Sequence, residues 1–258
     1  MAWLIVAAAI AGLMLVTWIV SVRLANASIV DIVWGFGFVV VAWVSWLTVD
    51  GYRPRQHLLV ALSTIWGLRL AGYLFWRNHG KGEDWRYAAM RKRHGPAFKW
   101  RSLLTVFALQ GALMWLVSVP VQFGQAPDER GPFAVLAPVG VAVWLLGFVF
   151  ETVGDYQLAR FKADPTNKGR LLTTGLWRYT RHPNYFGDFA VWWGIYLVAA
   201  STVPGIFTIV GPVAMTILLV RVSGVALLER SLQRRKPGYD EYVARTSSFL
   251  PRPPRKAP

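Results

Sequence analysis

Long apolar runs alternate with polar segments along the whole chain. Seven runs can be drawn: Ala2–Val22, Ser28–Val49, His57–Trp76, Leu103–Phe123, Phe133–Val153, Tyr185–Ala200 and Val203–Leu228. Each is near the roughly 20 residues that a helix needs to cross a bilayer. The sixth is short. Thr202 and Pro204 predict either a tight hairpin between the sixth and seventh or one bent element. The first run has no basic segment before it, unlike a signal peptide, and reads as a span. Pro251–Pro258, rich in proline and basic residues, is expected to be extended. The expected fold is all-α: one membrane domain over residues 1–258, a bundle of seven transmembrane helices.

Composition supports this. Of 258 residues, 55% are hydrophobic and 16% charged, against about 25% charged in soluble domains. The 14 Trp, 14 Phe and 9 Tyr exclude intrinsic disorder. The absence of Cys excludes disulfides, thiolate metal sites and cysteine nucleophiles. The net charge of +15 does not indicate nucleic acid, because the charges lie between apolar runs. One set of alternating loops holds 23 Lys and Arg residues and the other holds 3. By the positive-inside rule the N-terminus is outside and the C-terminus cytoplasmic.

Two cytoplasmic loops, Arg77–Ser102 and Gly154–Asn184, are large and basic. The second continues into the stretch up to Asp188 and combines Asp, Asn, His, Arg, Lys, Tyr and Trp. Arginine and lysine neutralise phosphate, and aromatic rings stack on a base, so the mixture suits a phosphorylated ligand with a ring. No dinucleotide-binding glycine motif or P-loop is present. Ionisable groups at membrane depth are the other signal. Asp31 falls in the first turn of span two. Arg69 lies well inside span three, on one helical face with Trp66 and Tyr73, and a buried partner such as Asp31 is expected. His182 is the one histidine beside the candidate site. His57, His79 and His94 are scattered, so no metal site is expected. Asp155 and Tyr156 begin the loop beneath span five, where capping could account for them.

The run Gly175–Asp188, containing Arg181-His182-Pro183-Asn184-Tyr185, resembles the C-terminal signature of the steroid 5α-reductase family. It is most similar to a bacterial branch of membrane proteins, the DUF1295 group. Val30–Gly35, Trp66–Leu70 and Tyr239–Pro251 fit the same branch, so the resemblance covers roughly residues 28–253. It implies a cytoplasm-facing NADPH site in a bacterial inner-membrane protein. The implied reaction is reduction of a carbon–carbon double bond conjugated to a ketone.

Carried over residue by residue, the resemblance implies cofactor contacts at Asp155, Lys162, Asn184, Tyr185 and Asp188, and in the tail at Tyr239, Tyr242 and Arg245. Arg178, Arg181 and His182 of the signature join them. At the substrate end Asp31 falls near a family Gln-Glu pair, without the Gln. Arg69 fits a family Arg, and Trp66 stands where steroid reductases have a Tyr, with Tyr73 a possible substitute. Two arrangements stay open: Asp31 as the acid with Arg69 paired elsewhere, or Asp31 holding Arg69 while Tyr73 donates the proton. The second is slightly favoured. A lipophilic substrate would enter from the bilayer between spans two, three and four. No nucleic acid and no obligatory protein partner is expected.

A second enzyme class shares part of the signature. Isoprenylcysteine and phospholipid methyltransferases, which use S-adenosylmethionine, also have Arg-His-Pro-x-Tyr. They resemble one another in a Glu-Glu pair where this chain has Glu229-Arg230. Arg230 suits a phosphorylated cofactor better than a cationic sulfonium. A non-enzymatic lipid-binding or scaffold role leaves the signature loop unexplained.

Overall fold

The computed structural model describes residues 1–222, 224–225, 228–229, 232–233 and 236–255. Among them the chain is all-α, with no strand and one isolated parallel bridge between Thr180 and Ser247. The α-helices are α1 (Ala2–Arg23), α2 (Ile29–Thr48), α3 (Arg53–Asn78), α4 (Trp85–His94), α5 (Phe98–Ser102), α6 (Leu109–Val117), α7 (Val119–Gly124), α8 (Leu136–Ala163), α9 (Pro183–Ala199), α10 (Val203–Ile206), α11 (Val210–Ile217) and α12 (Tyr239–Arg245). Short 3-10 and π turns join several of them.

Among the described residues, six stretches are long and apolar enough to cross a bilayer: Ala2–Arg23, Ile29–Thr48, Arg53–Asn78, Trp85–Val117, Leu136–Ala163 and Val203–Val222. By these helices the chain is an integral membrane protein. The sixth apolar run does form a helix, α9, but with 17 residues. At 1.5 Å per residue that is about 26 Å, against roughly 30 Å of hydrocarbon.

Two expected loops are partly helical. α4 occupies the middle of Arg77–Ser102. α8 continues past Val153 to Ala163, so Asp155 and Lys162 sit on a helix rather than in a loop. A capping role for Asp155 and Tyr156 falls away with it. The physical reason is that hydropathy reports where a helix leaves the apolar phase. Good helix formers such as Gln157, Leu158, Ala159 and Arg160 carry it further.

The chain divides into two compact units, Met1–Ala137 with Ile195–Gly211, and Pro138–Gly194 with Pro212–Pro258. In the first, α2 and α3 cross at Gly35 and Gly67. A Cβ on Gly35 would lie 2.6 Å from the Gly67 carbonyl oxygen, and one on Gly67 2.5 Å from that of Gly35. Between helices in lipid, association depends on such close packing rather than on water exclusion. Trp66 packs edge-on against Phe38 at 5.5 Å, both fully buried. The α1–α2 turn closes with Ala25 in the left-handed region (φ 49°) and Asn26 N donating to Ser21 O at 3.0 Å. This turn sets Asp31 in the first turn of α2. Thr202 accepts from Gly205 N at 3.2 Å, and a Cβ on Gly205 would fall 1.7 Å from Ala199 O, so α9 and α10 are joined by a tight turn.

In the second unit, glycines recur every seven residues on two helices: Gly140, Gly147 and Gly154 on α8, and Gly187 and Gly194 on α9. A Cβ on Gly187 would meet Gly147 O at 2.6 Å, and one on Gly194 would meet Gly140 O at 2.6 Å. The helices therefore touch backbone to backbone, which sets the start of α9 against the Gly154–Asp155 turn of α8.

Candidate functional site

The signature run is built as the approach to α9. Gly175 adopts φ 62°, and a Cβ there would lie 2.5 Å from the Gln157 amide nitrogen. The 3-10 turn Gly175–Arg178 follows. Gln157 Oε1 accepts from Leu176 N at 3.0 Å, and Trp177 Nε1 donates to Gly154 O at 3.1 Å. Pro183 opens α9, where its missing N–H costs nothing and its fixed φ suits the first turn. Asn184, in that turn, donates to Asp155 Oδ1 at 3.2 Å. Asp155 is buried.

Arg181 and His182 are buried as well and meet Glu229. Arg181 donates to the Glu229 carboxylate through Nε at 2.9 Å and Nη2 at 2.7 Å, and through Nη1 to the carbonyls of Val243 and Thr246. His182 Nε2 lies 3.3 Å from the same carboxylate, and its ring stacks on Tyr185 at 5.6 Å. Burial pushes the Glu229 carboxyl up. The hydrogen bonds from His182 and Arg181 and the Arg181 charge outweigh it, so the carboxyl sits below the ordinary glutamate value. The Tyr242 hydroxyl donates to Trp177 O, and burial raises its phenol.

The tail is tied down through residue 255. Arg181 N donates to Ser247 O at 2.9 Å, Arg252 N to Tyr179 O at 3.0 Å, and Arg255 N to Arg245 O at 2.9 Å. The tail borders a partly open cavity of about 420 Å³, lined by Arg181, Arg245, Arg252 and Arg255 with Ser247 and Ser248. Lys162 and Arg178 are exposed, Asp188 is half-buried one turn beyond Asn184, and Arg230 lies outside the described residues.

The first unit holds a separate cluster. Asp31 accepts from Arg86 Nη2 at 2.7 Å on one oxygen and from the Tyr87 hydroxyl at 2.7 Å on the other. Gln110 Nε2 donates to the Tyr87 oxygen at 3.2 Å. Asp84 caps α4, accepting from Arg86 N at 3.0 Å, and its own N–H donates to Ser28 Oγ at 2.6 Å. Glu83 takes both Arg91 Nε and Nη2 at 2.8 Å and Ala27 N at 2.7 Å. Burial opposes its charge, but these partners hold its carboxyl below the ordinary range. The Arg69 guanidinium lies over the Tyr73 ring at 5.4 Å, and Arg77 approaches the same ring at 5.7 Å.

The structure thus gathers Arg181, His182, Tyr185, Tyr242 and Arg245 at the tail, and Asp155 with Asn184 beside the start of α9. It adds residues that sequence reasoning missed. Arg86 and Tyr87 lie in a polar segment whose pattern gave no contact. Arg252 and Arg255 were hidden in a tail expected only to be extended.

A family of proteins of unknown function, DUF1295, matches residues 17–246. The chain belongs to the DUF1295 family. This family is related to steroid 5α-reductase-like membrane proteins and is membrane enzyme-like. Among curated proteins, this DUF1295 member is similar to an uncharacterized protein of Schizosaccharomyces pombe, 24% identical over 92% of this chain and 76% of that protein. It is also similar to a probable O-methyltransferase of Ustilaginoidea virens, 30% identical over 44% of this chain and 34% of that protein. A nickel-cobalt-cadmium resistance protein, NccN, of Alcaligenes xylosoxydans xylosoxydans is 30% identical over 48% of this chain and 54% of its own length. No solved structure gives a significant match.

Proposed function

We propose that this DUF1295 protein is an NADPH-dependent membrane reductase acting on a carbon–carbon double bond conjugated to a ketone in a lipophilic, steroid-like substrate. The observation that carries the reading is the signature cluster of the second unit. Arg181 and His182 are locked onto Glu229, and Asn184 onto Asp155, so the motif that resembles a nicotinamide-cofactor site is rigid and polar. The donor set fits the cofactor: unpaired arginines for phosphate, amide and carboxylate for hydroxyls, and aromatic rings for stacking.

NADPH, when bound, supplies the hydride. The chain's own groups orient it and handle charge. Asp155, Asn184, Tyr185 and Asp188 would position the cofactor, and Lys162, Arg178, Arg230 and Arg245 would meet its phosphates. In the first unit, the Asp31 carboxylate holds the Tyr87 hydroxyl in place. We assign Tyr87 rather than Tyr73 the role of donor to the substrate carbonyl: its one hydroxyl proton, held by Asp31 without substrate, would turn from Asp31 to the carbonyl oxygen, where enolate charge develops during hydride transfer. Arg69 and Tyr73 line the approach from the bilayer between α2, α3 and α6. In this reading α9 completes seven spans, the N-terminus is outside, and the cofactor site faces the cytoplasm of a bacterial inner membrane.

The partial similarity to an O-methyltransferase favours a second reading, an S-adenosylmethionine-dependent membrane methyltransferase. Thermal stability of the purified protein with each cofactor separates the two. A ligand at a hundredfold excess over its dissociation constant stabilises the native state by about 2.7 kcal/mol. NADPH should raise the midpoint, NADH less so, and S-adenosylmethionine not at all. Stabilisation by S-adenosylmethionine alone would favour the second reading.

A further inference from the structure

The cavity under the tail is charged beyond what the signature cluster needs. Arg181 at its inner side is already neutralised by Glu229. Arg245, Arg252 and Arg255 are exposed and make no ion pair and no side-chain hydrogen bond among the described residues. The Ser247 and Ser248 hydroxyls likewise make none. Backbone bonds fix the main chain from which these side chains extend. Arg255 N bonds to Arg245 O at 2.9 Å, Arg252 N to Tyr179 O at 3.0 Å, and the Thr180–Ser247 bridge fixes the start of the tail. Three arginines that line one cavity, with no ion pair among the described residues, offer a site for an anion of more than one charge. Guanidinium geometry matches phosphate oxygens in a bidentate way.

The cavity of about 420 Å³ is too large for a bare phosphate ion, and lies in the roughly 300–1,000 Å³ range of organic-ligand sites. A phosphodiester carries one negative charge, whereas a phosphomonoester carries up to two at neutral pH. We infer that Arg245, Arg252 and Arg255, with the Ser247 and Ser248 hydroxyls, form a phosphomonoester-binding site for a larger ligand. Two sources share that chemistry: the 2′-phosphate of a nucleotide cofactor and the headgroup of a phosphomonoester lipid. The first deepens the reductase reading and rests on it. The site's preference for a monoester does not.

The test uses the full-length protein in phosphatidylcholine nanodiscs. Affinities for NADPH, NADH and adenosine 2′,5′-bisphosphate are measured by calorimetry for the parent and for Arg252→Ala/Arg255→Ala. Both side chains are exposed, and an unchanged thermal midpoint without ligand checks that the variant is folded. Arg252→Lys/Arg255→Lys keeps the charge and removes the bidentate fork. The expected result is an NADPH and bisphosphate affinity at least tenfold weaker in the alanine variant, an intermediate loss in the lysine variant, and little change for NADH. Affinity for the bisphosphate should also fall as pH drops through about 6, where the monoester loses its second charge.

If NADPH binds the parent and both variants equally, the inference is overturned while the reductase reading survives. If no nucleotide binds, but nanodiscs doped with phosphatidic acid raise the midpoint of the parent and not of the alanine variant, the site stands with a lipid source and the reductase reading fails. If neither nucleotide nor phosphatidic acid distinguishes parent from variant, the inference is wrong.

Discussion

The Tyr87 hydroxyl donates to Asp31 Oδ1 at 2.7 Å, while the other carboxylate oxygen takes Arg86 Nη2 at the same distance. One carboxyl group thus ties Arg86 and Tyr87 to the first turn of α2, and the contact to Oδ1 fixes the phenol's rotamer. Asp31 then serves as a holder, and the proposed role of Tyr87 requires its proton to swing from Asp31 to the substrate carbonyl.

Tyr87→Phe should therefore slow hydride transfer by about 10²–10³-fold, the usual cost of losing one donor to a developing oxyanion. NADPH affinity should stay nearly unchanged. Asp31→Asn should slow the step less, because an amide oxygen still accepts from Tyr87. Tyr73→Phe should have little effect. Stopped-flow measurement of all three variants checks the assignment, and a large loss with Tyr73→Phe alone would return the donor role to Tyr73.

The Arg181–Glu229 pair predicts a pH dependence. A carboxyl whose folded value lies below its unfolded value, about 4.3, contributes stability in full above the unfolded value. That contribution is lost as pH falls through the folded value. Glu229→Gln leaves a buried guanidinium uncompensated and should cost on the order of 3 kcal/mol near pH 7. The difference in thermal midpoint between parent and variant should shrink as pH is lowered from 6 to about 3. A difference constant over that range would show that Glu229 is not charged in the folded protein.

Helix contact through glycine is testable in the second unit. Gly187→Ala would put a Cβ 2.4 Å from Glu151 N and 2.6 Å from Gly147 O. The helices must separate, at a cost of about 1–3 kcal/mol, and Asn184 should be displaced from Asp155. Gly12→Ala, with nothing within 4 Å of the new methyl, should be neutral or mildly stabilising. Thermal melts of the two variants in one detergent compare them directly.

Topology follows from the charge asymmetry. Cysteines at Lys92 and Asp128, both exposed, in a chain with no native Cys, should react with an impermeant maleimide from opposite sides of intact cells or inverted vesicles. Gly131 would be a poor labelling site, because its φ is 89° and a Cβ would fall 2.2 Å from Ser201 O. Labelling of both positions from one side would rule out the proposed orientation.

Membrane class, all-α architecture and the long apolar helices were legible because a bilayer demands long uninterrupted apolar runs, whereas the polar helix α4 was not. Asp31 could be placed because the apolar pattern restarts just before it. The segment carrying Arg86 and Tyr87 could not, since its contacts to Asp31 span dozens of residues and its polarity gives no period. The Gly140, Gly147 and Gly154 series, opposite Gly187 and Gly194, was present in the sequence as a seven-residue spacing. Only the antiparallel pairing of α8 with α9 shows it as a contact. The tail arginines were visible as charge, but their convergence depends on the Thr180–Ser247 bridge, which no local pattern announces.

The central claim is hydride transfer from NADPH to an enone, and single-turnover chemistry tests it most directly. Purified protein in nanodiscs is loaded with NADPH carrying deuterium at the transferable position and mixed with a steroid-like enone under anaerobic conditions. The account predicts loss of NADPH absorbance in step with saturation of the double bond, and deuterium at the β-carbon of the product. Unchanged NADPH and enone, together with methyl transfer from S-adenosylmethionine to a lipid acceptor in the same preparation, would contradict it.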